Sequence, residues 1–264
     1  MPGLVINGRE HVWPGLQIVN FRDDPRVRLK LGEDGRRRRT SWVRSICNHT
    51  TMGLPATIEP GTGPHGGAYD TFAWWNDPES GSAGAHLEVD RDAMIYCTAD
   101  LVLEVSYGAT SLNEVCVNVE ARQGHGADHA LNQAQLEAWA ELNVALCALL
   151  GIARQYHWPY LHGPVPRLHA GGGDCVGVFG HRDQTGAKGV GDPGDEIFQA
   201  LGRRGFEAFD FSQDEDLVAW RERQRRLNAL GWTPALAVDG VPGPLTLKAW
   251  GALGDRTHNG YVEG

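Results

Sequence analysis

The sequence predicts an α/β fold with a mixed central sheet flanked by helices, followed by a small all-α module at the C-terminal end. Short apolar segments of strand length and one long amphipathic helix follow one another with little intervening coil, a pattern typical of α/β domains. The 264 residues exceed one average domain and are too few for two large ones. One main domain with a small module is therefore expected.

Three segments have the length and composition of buried strands. Residues 45–49 (SICNH) end in a histidine, residues 115–120 (VCVNVE) end in a glutamate, and Val178 and Phe179 precede His181. A hairpin is predicted over residues 87–96 with its turn at 90–93, and a short helix over residues 68–76. Each of the three buried strands described first has a polar residue at its end, which is His49, Glu120 or His181.

Residues 132–150 give the strongest helix signal. Asn132 is followed three residues later by Gln135, as in a capping box, and Gly151 follows the last apolar residue, as expected of a helix end. Apolar side chains recur at helical spacing at Trp139, Leu142, Leu146, Leu149 and Leu150. The helix is expected to pack on the core.

The predicted organisation has four parts. Residues 1–41 form an extended N-terminal extension that packs on the main domain, and residues 42–204 form that domain. Residues 205–216, which include the acidic QDED, form a linker. Residues 217–264 read as a helix, the turn VDGVPGP, a second helix with Pro244 in its first turn, and a tail.

Composition excludes several classes of protein. A net charge of -9 argues against nucleic-acid binding, which requires a basic surface. No apolar run approaches the roughly 20 residues that cross a bilayer, so no membrane insertion is expected.

The basic run at 36–39 is read as a solvated loop. The five cysteines form no CxxC pair, which favours reduced, buried thiols.

The polar groups at the predicted strand ends suggest a metal site. Rigid strands are suitable supports for reacting groups, and His49, Glu120 and His181 each follow one. Two neutral imidazoles and a carboxylate can hold zinc with one position left for water, whose pKa zinc lowers to roughly 7. Such a site hydrolyses amides. The alternatives are structural or exposed histidines and an ion-paired Glu120.

The glycine-rich loop over residues 177–194 (GVFGHRDQTGAKGVGDPG) contains further candidates. Its HRD is not followed by an asparagine at the spacing of a kinase catalytic loop, and GAKG lacks the spacing of a phosphate-binding loop. The loop therefore matches neither a kinase catalytic loop nor a phosphate-binding loop.

Four motifs in this part of the chain carry a family resemblance. They are HTTMG at 49–53, AHLEVDRDAMIY at 85–96, VNVE ending at Glu120, and GHRD at 180–183 followed by DPG at 192–194. Together they resemble the zinc-dependent N-acetylmuramoyl-L-alanine amidases, relatives of peptidoglycan recognition proteins and of many phage endolysins. The resemblance covers residues 42–204. RRLNALGW and VDGVPGPLT, within residues 225–246, resemble a small helical peptidoglycan-binding domain.

The resemblance implies roles for five residues. His49, His181 and Asp192 would be the zinc ligands, and Glu120 would be the catalytic glutamate that moves protons. Lys188 is the candidate cation for the oxyanion. It stands four residues before Asp192, whereas the family's lysine stands two before, so a surface lysine is the alternative.

Two further residues carry lesser expectations. His86 follows Ala85 where many relatives have an aromatic residue before a histidine, so a substrate-side contact or a buried strand histidine is expected. Asp183 is expected to brace the loop and not to bind the metal.

The implied reaction is hydrolysis of the amide between N-acetylmuramic acid and L-alanine in bacterial peptidoglycan, with the C-terminal module holding the enzyme on the polymer. The alternatives are a metal-free peptidoglycan recognition protein and a cytoplasmic amidase that recycles soluble wall fragments. The N-terminus shows no signal peptide. Synthesis in the cytoplasm is therefore expected, followed by delivery to the wall through holin-type holes or an injection or secretion apparatus.

Overall fold

The computed structural model describes most of the main domain and short stretches of the C-terminal part. The described residues are 3–24, 43–52, 65–76, 84–109, 112–125, 128–156, 177–184, 192–208, 224–225, 227–229, 231–238, 245–246 and 248–249. The predictions for Lys188, for Cys175, for the basic run at 36–39 and for most of the linker lie outside them.

The strands and helices are interspersed along the chain, as predicted. The strands are β1 (Leu4–Ile6), β2 (Arg9–His11), β3 (Ile18–Asn20), β4 (Ser45–Thr50), β5 (Leu87–Val89), β6 (Ile95–Cys97), β7 (Cys116–Ala121), β8 (Gln155–Tyr156), β9 (Gly177–Gly180) and β10 (Glu207–Ala208). The helices are α1 (Gly66–Asn76), α2 (Gln133–Leu150), α3 (His181–Gln184) and α4 (Asp195–Arg203).

Eight of the described strands form one mixed sheet in the order β10-β8-β9-β4-β7-β5-β6-β3. Strand β4 is central and runs parallel to both of its neighbours, β7 and β9. Strands β5 and β6 form the predicted antiparallel hairpin, and β3 runs parallel to β6. The predicted α/β class with a mixed central sheet is confirmed.

The sheet extends past both boundaries predicted for the main domain. Strand β3 belongs to the segment predicted as an N-terminal extension, where Ile18 pairs with Ile95 and is 6% exposed. Strand β10 belongs to the start of the predicted linker and pairs with β8. Short edge strands of this kind have little periodicity of their own, because they are held by the strand beside them.

Helix α2 covers one face of the sheet. Its Trp139, Leu142 and Leu146 are fully buried in the same cluster as Ile46 and Val117. Burial of each such side chain contributes about 1.5–3 kcal/mol. Strand residues alternate between faces, so the side chains of His49 and Glu120 lie on the opposite face, away from this helix.

The ends of α2 follow the sequence signals with one difference. The Asn132 side chain accepts a hydrogen bond from the Gln135 backbone N–H, and Gly151 ends the helix with φ 68°, a left-handed conformation that suits glycine. The Gln135 side chain does not complete a reciprocal capping box. It donates instead to the carbonyls of Val89 and Arg122 at 3.0 and 2.7 Å, so it ties the helix to the sheet.

The described C-terminal residues have their own small apolar cluster. Leu227, Leu236 and Ala249 are buried together, with Trp232 packed against them. Residues 224–225, 227–229, 245–246 and 248–249 are helical. Among the described residues no helix combines the length and the apolarity needed to cross a membrane. The four described cysteines are buried thiols without a disulfide among the described residues.

Candidate metal centre

The sheet topology brings the two predicted histidine ligands to one edge. Strands β4 and β9 are parallel neighbours in which Asn48 is the register partner of Gly180, so His49 and His181 both follow that pair. The carboxyl ends of parallel strands are where α/β proteins commonly bind ligands. His181 was predicted at the start of a loop, but it is the first residue of the one-turn helix α3.

Two hydrogen bonds and a close approach to the end of β9 place Asp192 beside the histidines. The Thr50 backbone N–H donates to Asp192 Oδ1 at 3.0 Å, and the Arg182 backbone N–H donates to the Asp192 carbonyl at 2.7 Å. Gly180 gives Pro193 room to approach, since a Cβ at residue 180 would lie 2.6 Å from Pro193 Cδ. The glycine at the end of β9 therefore helps to place the carboxylate.

The three predicted ligands converge on one point. The Nδ1 atoms of His49 and His181 are 3.0 Å apart, and Asp192 places Oδ2 3.1 Å from His181 Nδ1 and Oδ1 3.8 Å from His49 Nδ1. Donors held tetrahedrally around zinc at about 2.0–2.1 Å are separated by about 3.3 Å. His49, His181 and Asp192 form the only such group of possible metal ligands among the described residues.

The chemistry of this donor set also suits zinc. Zinc accepts imidazole nitrogens and carboxylate oxygens, and catalytic zinc sites have three protein ligands. The three residues are 3–5% exposed, so the group lies almost entirely away from bulk water. His181 Nε2 is buried without a hydrogen-bond partner in the described part of the chain.

The Asp192 carboxyl is ionised in this setting. Burial would raise its pKa, but the hydrogen bond with His181, the electrostatic effect of the two histidines and the Thr50 N–H outweigh burial, so that the pKa lies below its ordinary value. An ionised carboxylate is the form that binds a metal.

Asp183 does not join the group, in agreement with the prediction that it braces the loop. Its Oδ2 accepts a hydrogen bond from the Gly180 N–H at 2.7 Å. Burial raises the pKa of Asp183 to about 7. The carboxylate that joins the histidines therefore comes from Asp192, which is eleven positions further along the chain than His181.

Glu120 lies beside the metal centre. It is the register partner of His49 across β4 and β7, so the two side chains are on the same face, on strands about 4.8 Å apart. Glu120 is partly exposed, unlike the three ligand residues. The geometry is suitable for a group that exchanges protons with water.

Next to Glu120 in the sheet stands a carboxyl that was not predicted as a site residue. Glu88 is the register partner of Glu120 across β5 and β7, is 0% exposed, and accepts a hydrogen bond from Thr71 Oγ1 at 3.0 Å. Burial and then the charge of Asp90 raise its pKa well above the usual value, against the opposing effects of Thr71 and Arg122. The alternation in AHLEVD could have indicated that Glu88 faces the site.

Charged residues lie near Glu88 and Glu120, where strand β7 ends. Arg122 donates to Asp70 at 2.7 Å and to Asp90 at 3.2 Å, and His125 Nε2 lies 3.1 Å from Asp70. These contacts fix the end of β7 to helix α1. The sequence offered no signal for them, because the partners are up to 55 residues apart.

His86 is fully buried and directly precedes strand β5. Its Nε2 lies 3.1 Å from the Glu104 carbonyl, and its Nδ1 lies 2.8 Å from Ser106 Oγ and 3.0 Å from the Asn118 backbone N. His86 is thus buried, but it precedes the strand. The substrate-side contact of His86 stays a prediction, as does the role of Lys188.

No protein-family model and no curated protein matches the chain. Among solved structures, it aligns with the Staphylococcus aureus hydrolase AmiA in complex with its ligand at 15% identity and a TM-score of 0.41, over 75% of this chain and 88% of that one. It aligns with the endolysin and N-acetylmuramoyl-L-alanine amidase LysCS from Clostridium intestinale URNW at 14% and 0.42, over 74% and 98%. For the Drosophila peptidoglycan recognition protein PGRP-SA the values are 11% and 0.43, over 74% and 95%. At similarities this low, function has to be argued from the residues of the site.

Proposed function

We propose that the protein is a zinc-dependent hydrolase that cleaves the amide between N-acetylmuramic acid and the L-alanine of the stem peptide in bacterial peptidoglycan. The observation that carries the proposal is the convergence of His49, His181 and Asp192, with donor atoms 3.0–3.8 Å apart. The choice of substrate is supported by the four motifs around these residues, which resemble those of the zinc-dependent amidases.

Each of the three ligand residues would offer one donor group to the metal. His49 and His181 offer Nδ1, and Asp192 offers a carboxylate that the Thr50 backbone N–H holds in place, while the Arg182 backbone N–H donates to the Asp192 main-chain carbonyl. Zinc bound there would act as a Lewis acid on the scissile carbonyl and make water a nucleophile near neutral pH.

Glu120 is the residue proposed to move protons. Its position beside His49 and its partial exposure support this role. It would take a proton from the attacking water and pass one to the departing L-alanine amine. Lys188 remains the candidate for stabilising negative charge on the scissile carbonyl oxygen.

The C-terminal part is proposed to hold the enzyme on its polymer. The buried cluster of Leu227, Leu236 and Ala249 is compatible with a small helical module, and such a tether raises the effective concentration of catalytic domain at the wall. Leu227→Asp in the full chain should weaken sedimentation with purified sacculi and leave the rate on soluble muropeptides unchanged. Delivery to the wall through holin-type holes or an injection apparatus remains part of the proposal.

The test is mass spectrometry of sacculus digests made with the wild type and with His181→Ala, with zinc content measured on both proteins. The wild type should contain zinc and release stem peptides with new N-terminal alanine amines, and the variant should do neither. Zinc-free protein that binds sacculi without new amines would identify a recognition protein instead. Cleavage of soluble fragments but not of sacculi would favour the recycling amidase.

A further inference from the structure

One asparagine, Asn118, links the metal centre to the interior of the sheet. It lies on β7, two residues before Glu120 and on the same face, and it is fully buried. Its Oδ1 is 3.1 Å from His49 Nε2, the ring nitrogen that does not face His181 and Asp192. Asn118 therefore contacts His49 on the side of the ring that faces away from the other two ligand residues.

The direction of this hydrogen bond follows from the other end of the Asn118 amide. Asn118 Nδ2 lies 3.2 Å from the Ser106 carbonyl oxygen and 3.3 Å from Asn113 Oδ1. A carbonyl oxygen only accepts, and Asn113 Oδ1 already accepts from the backbone N–H groups of Gly108 and Ala109 at 3.1 and 2.7 Å. The amide nitrogen must face these acceptors, so the amide oxygen must face His49.

An oxygen acceptor against Nε2 determines the state of the His49 ring. A neutral imidazole carries its proton on one nitrogen only. With the proton on Nε2, donated to Asn118, the lone pair is left on Nδ1, where the metal ligands converge. No comparable partner fixes His181, whose Nε2 has no hydrogen bond within the described ranges.

The packing around this hydrogen bond is close. A Cβ at Gly108 would lie 3.0 Å from Asn118 Cγ and 3.1 Å from His49 Nε2. The chain therefore passes directly over the contact, and only a residue without a side chain leaves both groups in place. Two separate features, the polarity of the amide and the glycine above it, serve the same contact.

We propose that Asn118 is a positioning residue that holds His49 in the Nε2–H tautomer, so that Nδ1 is ready to bind a metal before the metal arrives. The inference rests on the metal centre of the proposed function but not on the substrate. Partners of this kind orient metal-binding histidines, and their loss typically costs about 10–100-fold in metal affinity.

The test uses the full-length protein in two measurements. Long-range ¹H–¹⁵N correlation spectra of the metal-free protein report the tautomer of His49, and competition with a chelator reports the dissociation constant for zinc. The wild type should show His49 protonated on Nε2. Asn118→Leu, which has no acceptor, should lose that preference and bind zinc roughly 10–100-fold more weakly.

Two further variants distinguish positioning from general damage to the fold. Asn143→Leu removes another buried amide, which hydrogen-bonds Asn48 on the opposite face of the sheet, and should leave the His49 tautomer and the zinc affinity unchanged. Gly108→Ala keeps Asn118 but crowds its contact with His49, and should weaken zinc binding even if Asn118→Leu does not fold.

The outcomes are separable from those of the amidase test. An Nδ1–H tautomer of His49 in the wild type, or unchanged zinc affinity in both Asn118→Leu and Gly108→Ala, would overturn the inference. Absence of peptidoglycan cleavage with the predicted tautomer and affinities would instead leave this inference standing and remove the proposed substrate.

Discussion

Glu120 and His49 are register partners on adjacent parallel strands, β7 and β4. Glu120 is the residue proposed to move protons, and His49 is a proposed metal ligand. The backbone hydrogen bonds between the two strands fix both residues. Strands hold side chains more accurately than loops do. The pairing of the two strands therefore sets the distance between the proton-transfer residue and the metal ligand.

Glu120→Gln tests this division of roles. The glutamine keeps the size of the side chain but cannot take up a proton, so the rate of peptidoglycan hydrolysis should fall by about 10²–10⁴-fold. Zinc content should be unchanged, because Glu120 is not among the converging ligands. The measurements are the release of N-terminal alanine amines and elemental analysis of the purified protein.

The matched control is Glu207→Gln, the same chemical change at an exposed position on the edge strand β10. It should leave hydrolysis unaffected. If Glu120→Gln retained full activity, or lost its zinc, the assignment of Glu120 as the proton-transfer group would be wrong.

Asp192 and Asp183 give opposite expectations for the same substitution. Asp192→Asn removes the charge of a carboxylate that meets both histidines, so zinc affinity should fall by at least tenfold, a loss of about 1.4 kcal/mol or more. Asp183→Asn keeps an oxygen that can accept the Gly180 N–H, so zinc binding should persist. Titration with a chromophoric chelator measures both.

The site residues differ in whether they could be predicted from the sequence. The family resemblance selected Asp192, and strand ends selected His49, Glu120 and His181, because short strands and the turns after them are local signals. Asn118 and Glu88 were not selected. Alternation along a strand could indicate the face on which Glu88 lies, but their importance depends on partners brought near by the folded sheet, such as Ser106 and Thr71.

The edge of the sheet was harder to predict for the same reason. Strand β3 has three residues, of which only Ile18 is buried, and it joins the sheet by pairing with β6. Helix α3 has four residues, and its surroundings of glycine and proline indicated a loop. Elements this short are stabilised by tertiary contacts more than by propensity.

Gly180→Ala tests whether the end of β9 places Asp192. The added methyl would lie 2.6 Å from Pro193 Cδ and 3.2 Å from Phe198 Cζ, so the loop that carries Asp192 must move. Zinc affinity should fall by roughly 10–100-fold, and stability by about 1–3 kcal/mol. Chelator competition and chemical denaturation report the two effects.

The control for Gly180→Ala is Gly202→Ala on helix α4. A Cβ at residue 202 would make only an ordinary contact, 3.4 Å from the Tyr156 hydroxyl, and alanine favours a helix over glycine. Stability should be equal or higher and zinc binding unchanged. Equal zinc affinity in the two variants would show that Gly180 does not position Asp192.

Glu88→Gln addresses the dependence of stability on pH. The pKa of Glu88 in the folded protein lies well above its ordinary value of 4.5, with burial as the main cause. Above pH 4.5 the unfolded chain releases a proton that the folded chain retains, so stability falls as pH rises toward the folded pKa. Each unit of difference between the two pKa values costs about 1.4 kcal/mol.

Glutamine removes this cost because it does not titrate, and its amide oxygen can accept the same hydrogen bond from Thr71. The free energy of unfolding of Glu88→Gln, relative to wild type, should therefore increase from pH 4.5 upward and level off above the folded pKa. Denaturant titrations at intervals between pH 4 and 8 measure the difference, and Glu207→Gln again serves as the exposed control. A difference independent of pH would mean that Glu88 is ionised in the folded protein, in which case Arg122 would have to neutralise it.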